Sequence, residues 1–388
     1  MNKVLLVKPA RNYWFPLGYA YLAAAWKRAG IAFDFIDLDK DPLEMVRETV
    51  TRNQYLAICA GGLIASYSSI RDIMQAARAA RAELPRVVGG PLASNIPLQY
   101  VFGDVGAHYV TIGEAEETSV ELFHHIHLRG VSPCPNVRGV AWLDATSLQG
   151  FSSAPPRPKP TLDSLPEPDY SFWDYAWHRS NGQASIPWGL APMLTGRGCI
   201  GSCAFCSPPA GTYRSRSPEN VIAEIVHSAS QFETRQLYFA DEMFFNDPGK
   251  IADFCARYKA IGAPYTWSCN MRVDGPLDSL PLMREHGCTN IYFGFESVND
   301  RVLAAMKKRT THEMQQRAIH AATQAGIYWQ ALWMVGNYTE TLEEMRESFA
   351  FFRGHHQTCP ALLITYPGTL NYSRARKMGL LQDELSYT

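Results

Sequence analysis

The run Leu190-Ala191-Pro192-Met193-Leu194-Thr195-Gly196-Arg197-Gly198-Cys199-Ile200-Gly201-Ser202-Cys203-Ala204-Phe205-Cys206 decides how the chain is read. Leu190–Thr195 is short, apolar and bounded by glycine, which predicts a β-strand. Three cysteines follow it with the spacing CxxxCxxC: Cys199, Cys203 and Cys206. Three thiolates this close together can wrap one face of a [4Fe–4S] cube, whose usual ligand is cysteine. One iron is then left without a protein ligand, open to a substrate or cofactor. A structural zinc ion closes four ligands, and no paired CxxC…CxxC motif supplies them here. Chance burial of three cysteines is the remaining alternative.

Outward from this run, strands and helices alternate. Strands are expected at Leu190–Thr195, Leu237–Ala240, Tyr265–Cys269, Ile291–Phe295, Tyr328–Val335 and Ala361–Thr365. Between them lie helical stripes such as Val221, Ile222, Ile225, Val226, Ala229 and Phe232. Six such units predict a partial (β/α)6 barrel over residues 186–388 rather than a closed eight-stranded one. Before it, residues 131–185 hold a hairpin strand at Val137–Leu143 and the stiff run Ala154-Pro155-Pro156-Arg157-Pro158-Lys159-Pro160, a connector. Residues 1–130 alternate again, with strands at Lys3–Lys8, Phe33–Leu38, Tyr55–Ala60, Arg86–Val88 and Tyr109–Ile112. Helices are expected over Leu17–Ala29 and along the stripe Ile70, Ile73, Met74, Ala77, Leu84. The fold class is α/β: a doubly wound, Rossmann-like parallel sheet followed by the partial barrel. Such sheets bind ligands at the carboxyl ends of their strands. The loops Asn12–Pro16, Ala60–Gly62 and Gly89–Pro91 stand at such ends.

The 388 residues suffice for two or three domains. With 36 Lys and Arg against 37 Asp and Glu, the net charge of −1 lacks the basic excess of a general nucleic-acid binder. An apolar fraction of 46% with 19% charged residues excludes a disordered chain. No apolar run reaches the roughly 18 residues of a spanning helix, so no membrane segment is expected. Nine cysteines without a secretory signal point to the reducing cytoplasm rather than to a disulfide framework.

At the cysteine run the chain resembles the radical S-adenosylmethionine (SAM) superfamily, whose signature CxxxCxΦC carries an aromatic residue where Phe205 stands. Gly89-Gly90-Pro91 and Gly113-Glu114-Ala115-Glu116-Glu117-Thr118 resemble segments of its cobalamin-dependent branch. So do Leu162-Asp163-Ser164-Leu165-Pro166, Thr195–Cys199 and Tyr213–Glu219. The resemblance covers nearly the whole chain. It implies a cobalamin-binding domain over residues 1–130 and a radical SAM barrel over 186–388. It also implies three cofactors: a [4Fe–4S] cluster, SAM and cobalamin.

Site residues follow from the same resemblance. Cys199, Cys203 and Cys206 would hold the cluster. SAM would meet Phe205, Asp241, Glu242, Arg272, Glu296, Ser297 and Asn337. Asp241 or Glu242 would take its ammonium, and Arg272 its carboxylate through a bidentate fork. Against these stand plainer readings: helix-start acids for Asp241 and Glu242, and a surface salt bridge for Arg272. Cobalamin would be lined by Asn12, Tyr13, Trp14, Gly61, Gly62, Gly89, Gly90, Pro91, Gly113 and Glu114. The branch's cobalt-ligating histidine is absent from the first loop, and Leu92 stands where a histidine often follows Gly-Pro. A His-free lower face, approached by Arg11, Asn12 or Tyr13, is therefore expected. Arg214 and Arg216 read either as SAM neighbours or as solvated arginines before a helix start. Trp267, Trp329 and Trp333 read as core or as cavity wall, and His124, His125 and His127 as a helix-end patch.

The activity implied is methyl transfer from SAM, by way of methylcobalamin, to an unactivated carbon (or phosphinate) of a small-molecule biosynthetic intermediate. A cyclase or ring-contracting enzyme would use the same cofactors, and a sensor without turnover is the third class. An external electron donor of the flavodoxin or ferredoxin type is expected as partner.

Overall fold

A computed structural model describes residues 3–10, 15–180, 190–207, 213–228, 232, 235–262, 265–354 and 358–381. The chain divides into two compact units. One comprises residues 1–160, 164–186 and 381–388, the other residues 161–163 and 187–380.

In the first unit the described strands are β1 (Val4–Lys8), β2 (Phe33–Asp37), β3 (Ala57–Gly61), β4 (Arg86–Gly89), β5 (Tyr109–Thr111), β6 (Val140–Leu143) and β7 (Phe151–Ser153). They form one sheet in the order β2-β1-β3-β4-β5-β6-β7. The first five are parallel, and β6 and β7 add antiparallel. β1, β3 and β5 are buried along their whole length or nearly so, as strands covered on both faces must be. Helices Leu17–Arg28 and Glu116–Arg129 lock together: Trp26 packs edge-on to Phe123 and its Nε1 donates to Ser119 Oγ at 2.8 Å. Because β2 and β3 lie on opposite sides of β1, the winding reverses there, and that reversal opens a crevice at the carboxyl ends. The hairpin expected in the connector belongs instead to the sheet. Tyr109 pairs with Trp142, and the buried residues Val140, Ala141 and Trp142 cover what would be an exposed edge of β5. The helix expected from Ile70 onward ends at Ala80, and Leu84 packs into the core from the turn beyond it.

In the second unit β8 (Ala191–Met193), β11 (Gln236–Phe239), β12 (Thr266–Arg272), β13 (Cys288–Glu296), β14 (Tyr328–Val335) and β15 (Thr358–Leu362) form an open, all-parallel sheet in sequence order. A separate two-stranded ribbon pairs β9 (Gly196–Arg197) with β10 (Arg214–Ser215). Sequential order with helical crossovers is the partial (β/α)6 barrel. The strand expected at Ala361–Thr365 lies earlier, because Val335 pairs with Leu362 and Ala331 with Thr358. Phe239, Phe244, Phe254 and Trp267 pack mutually within 6 Å in its core, with Phe244 and Trp267 stacked.

Candidate active site

The cysteine loop leaves the barrel at the end of β8 and is tied down on several sides. The β9–β10 ribbon brackets it, in a contact so close that a Cβ on Gly196 would lie 2.7 Å from Arg214 O. Asp241, just beyond β11, accepts from Thr195 N at 2.8 Å and from Gly196 N at 2.7 Å, and Thr195 Oγ1 donates to it at 3.1 Å. Gly198 N donates to Glu242 Oε2 at 3.2 Å. In the middle of the loop, buried Ala204 is held from both directions. Its N–H donates to Met306 O at 2.8 Å, and its carbonyl accepts from Asn371 N at 2.9 Å.

Two cations stand beside the thiols. Burial raises the Cys203 thiol, and the charges of Lys308 and Arg272 oppose that rise. Lys308 Nζ bonds Glu296 Oε1 at 2.6 Å, with both side chains buried. Arg272 forms a bidentate pair with Asp274, at 2.8 and 2.9 Å, and donates to Lys308 O at 3.1 Å. Its remaining nitrogen, Nη1, lies where a Cβ on Gly201 would come within 3.1 Å, beside Cys199 Sγ. Among the described residues, positive φ outside glycine occurs at Glu296 (68°), Lys307 (54°) and Arg309 (61°), all within this neighbourhood. Strain of this kind collects at sites where the surrounding fold over-determines the backbone.

The residues expected to meet SAM take up these places. Asp241 is not a free carboxylate. Its oxygens are taken by the Thr195–Gly196 turn, so it positions the start of the loop, and burial pushes it up to about 7 with those N–H groups opposing. Of the acidic pair, Glu242 is the one turned to the cysteine loop. Arg272 turns Nε and Nη2 to Asp274. Ser297 is fully buried in the turn after β13, where its hydroxyl accepts from Asn299 N at 3.2 Å and its carbonyl from Gln315 Nε2 at 2.8 Å. Phe205 lies half-buried between Cys203 and Cys206. Asn337, after β14, is buried with Oδ1 unbonded. Lys308 escaped the sequence reading because nothing in Lys307-Lys308-Arg309 marks the middle residue. Only the positive φ on either side of it turns it inward.

The fit to the expected groups rests on these features. Three thiols on one tethered loop with two cations beside them suit an anionic iron–sulfur cube. Among the described residues no three His, Cys, Asp or Glu side chains converge on a single metal ion. Cysteines that each bind a separate iron of a cube need not converge. Buried Asn337 Oδ1 is left without a hydrogen-bond partner, as an acceptor meant for a bound donor would be.

In the first unit, the carboxyl ends of β3 and β4 meet through glycines. A Cβ on Gly61 would lie 2.8 Å from Gly89 O, and one on Gly90 (φ 82°) would lie 2.9 Å from Gly62 N. Leu92 N donates to Gly62 O at 2.9 Å, while the Leu92 side chain is wholly buried and presents nothing to a ligand. Gly113 (φ 84°) and half-buried Glu114 follow β5. This bare-backbone surface at the winding reversal suits the flat face of a corrin. Arg11, Asn12, Tyr13 and Trp14 lie outside the described residues.

The structure places several of the residues that the sequence left with two readings. Arg216 is buried against Glu224 and donates to Leu194 O at 2.9 Å. Trp267, Trp329 and Trp333 stack on Phe244, Phe295 and Phe352. His124 bonds Val120 O at 2.8 Å, and His125 contacts Ser132.

The family models agree with this division of labour. Residues 3–123 match the B12 binding domain, and residues 193–352 match the radical SAM superfamily. The chain joins a B12-binding domain to a radical SAM domain. Its cofactors are thus a [4Fe–4S] cluster, SAM and cobalamin. An uncharacterized methyltransferase of Pyrococcus horikoshii is 26% identical, over 96% of this chain and 81% of its own. The anaerobic magnesium-protoporphyrin IX monomethyl ester cyclase of Cereibacter sphaeroides is 27% identical over 87% of this chain, which spans 56% of that enzyme. The fold is that of the radical SAM methyltransferase TsrM from Kitasatospora setae, solved with cobalamin and a [4Fe–4S] cluster bound. The TM-score is 0.77 at 19% identity, over 97% of this chain and 75% of that one. No described helix is long and apolar enough to cross a membrane.

Proposed function

We propose that the protein is a methyltransferase that moves a methyl group from SAM, with cobalamin as carrier, to an unactivated carbon or phosphinate of a small molecule. The observation that carries this reading is the joining in one chain of a tethered three-cysteine loop and a glycine-lined winding reversal. It is supported by similarity to a methyltransferase over nearly the full length. When bound, the cluster and SAM supply a radical able to activate an inert bond, and cobalamin supplies the methyl carrier. The chain supplies position. Cys199, Cys203 and Cys206 hold the cluster, while Asp241 and Ala204 hold their loop in place. Glu242, Glu296 and Lys308 offer both signs of charge to the amino-acid end of SAM, and Asn337 an acceptor to its other polar groups. Gly61, Gly62, Gly89, Gly90, Pro91, Gly113 and Glu114 line the cobalamin.

A reducing cytoplasm and a flavodoxin- or ferredoxin-type donor complete the setting, because low-potential electrons must reach the cluster. The near-zero charge favours a small molecule over nucleic acid. The second reading, a non-methylating cyclase or ring-contracting enzyme, draws on the similarity to the cyclase. Product analysis separates the two. Reductant and SAM should yield S-adenosylhomocysteine alongside 5′-deoxyadenosine, whereas 5′-deoxyadenosine alone would favour the cyclase reading.

A further inference from the structure

Two segments packed on the cysteine loop carry positive charge with nothing of their own to balance it. The turn Ala305–Arg309 and the stretch Leu370–Leu380 hold six Lys or Arg and no Asp or Glu, in a chain whose net charge is −1. Ala204 joins both segments to the loop: its N–H donates to Met306 O at 2.8 Å, and its carbonyl accepts from Asn371 N at 2.9 Å. The segments also meet each other. Arg374 Nη1 lies 3.5 Å from Ala305 O, and the guanidinium sits over the Tyr338 ring, 5.1 Å from its centroid. Lys308 is buried on Glu296. Lys307, Arg309 and Lys377 are exposed instead, and Arg374 is half-buried. Among the described residues, none of these four pairs with a carboxylate.

The backbone shows that these charges are kept at a cost. Lys307 (φ 54°) and Arg309 (φ 61°) are left-handed, a conformation that glycine adopts freely and a side chain only under strain. The loop itself exposes Cys206 and Ile200, the latter by 52%. An exposed apolar residue with unpaired charges of one sign nearby suits a transient, electrostatically steered partner. We propose that Lys307, Arg309, Arg374 and Lys377 form the docking face for an acidic electron-carrier protein. The proposal rests on the reading that the three cysteines hold a [4Fe–4S] cluster, because the electron must then enter beside their loop. In the step, the carrier gives up one electron and the oxidised cluster gains it, and no bond forms or breaks.

The test uses an acidic flavodoxin at low and at high salt. Calorimetric titration of oxidised flavodoxin into the full chain reads docking alone. Stopped-flow mixing of flavodoxin hydroquinone with the reconstituted chain reads electron transfer. For the parent protein, affinity and rate should each fall about tenfold from low to high salt. Lys307→Glu combined with Lys377→Glu should weaken both about tenfold at low salt and flatten their salt dependence. Dithionite, which needs no docking, should reduce the cluster of this variant to the parent's extent, as read by electron paramagnetic resonance. Lys259→Glu, exposed on the helix Pro248–Ala260 that leads into the amino end of β12, should match the parent. Parent-like affinity and rate in the charge-reversed variant overturn the proposal, as does a parent protein indifferent to salt. If the reversed variant loses iron, Lys307→Gln with Lys377→Gln takes its place, and parent-like affinity there overturns the proposal equally. If docking weakens as expected but dithionite finds no reducible cluster in the parent, the docking face stands and the cluster reading fails.

Discussion

Lys308 Nζ lies 2.6 Å from Glu296 Oε1, and Gly294 is what lets them meet: a Cβ there would come within 2.8 Å of the amine and 2.9 Å of the carboxylate. Burial alone would lower the Lys308 amine, but Glu296 outweighs it and holds the amine above its ordinary value. A buried pair of this kind costs desolvation, and removing one partner strands the other. Lys308→Met should therefore destabilise the barrel by about 3–5 kcal/mol in chemical denaturation. Gly294→Ala should displace the pair and weaken SAM binding several-fold in equilibrium dialysis. Unchanged stability in the first variant and unchanged affinity in the second would separate the pair from the site.

Asp241 and Glu242 are neighbours with different work. Asp241→Asn turns an N–H2 toward donors that need an acceptor, so it should lower the melting temperature and the iron retained after reconstitution. Glu242→Gln should leave the melting temperature within a degree or two and weaken SAM binding. The opposite pattern would return the ammonium contact to Asp241.

The glycine contact between β3 and β4 predicts a selective loss of cobalamin. Gly90→Val places a β-branched residue at φ 82° against Gly62. Cobalamin uptake, read from its visible spectrum after gel filtration, should fall sharply, while iron content stays at the parent level. Full cobalamin uptake by Gly90→Val would contradict the assignment of this surface.

A buried ionic cluster at the ends of β1 and β2 gives a pH prediction. Asp37 Oδ1 bonds Lys8 Nζ at 2.9 Å, and its Oδ2 lies 2.7 Å from His178 Nε2. Burial would raise the carboxyl, but the His178 hydrogen bond and the Lys8 charge bring it down to about 2. The folded value lies below the unfolded one, so the stabilisation is present above about pH 4 and lost as pH falls toward 2. Asp37→Asn should remove that part of the acid limb. Urea unfolding at pH 3 and pH 6 should show a smaller difference for the variant than for the parent chain.

Much of this was legible in the sequence. The period of strands and helices marks both sheets because fully buried parallel strands read as continuous apolar runs, as in Val4-Leu5-Leu6-Val7. The cysteine spacing is local, so Cys199, Cys203 and Cys206 stand out without any fold. Contacts made across long separations were not legible. Nothing local shows that Asp241 closes on Thr195 or that Lys308 rather than Lys307 faces inward. The hairpin Val140–Ser153 read as connector because its pairing partner, β5, lies before a whole helix. Leu92, which stands where the branch often has a histidine, packs its side chain into the core.

The methyl group of SAM should pass through cobalamin on its way to the acceptor. The most direct test incubates the anaerobically reconstituted chain with cobalamin, reductant and methyl-deuterated SAM, and follows the label by mass spectrometry. A trideuteromethyl group should appear on the recovered cobalamin together with S-adenosylhomocysteine. Bound cobalamin that never acquires the label, with 5′-deoxyadenosine as the sole product of SAM, would contradict it.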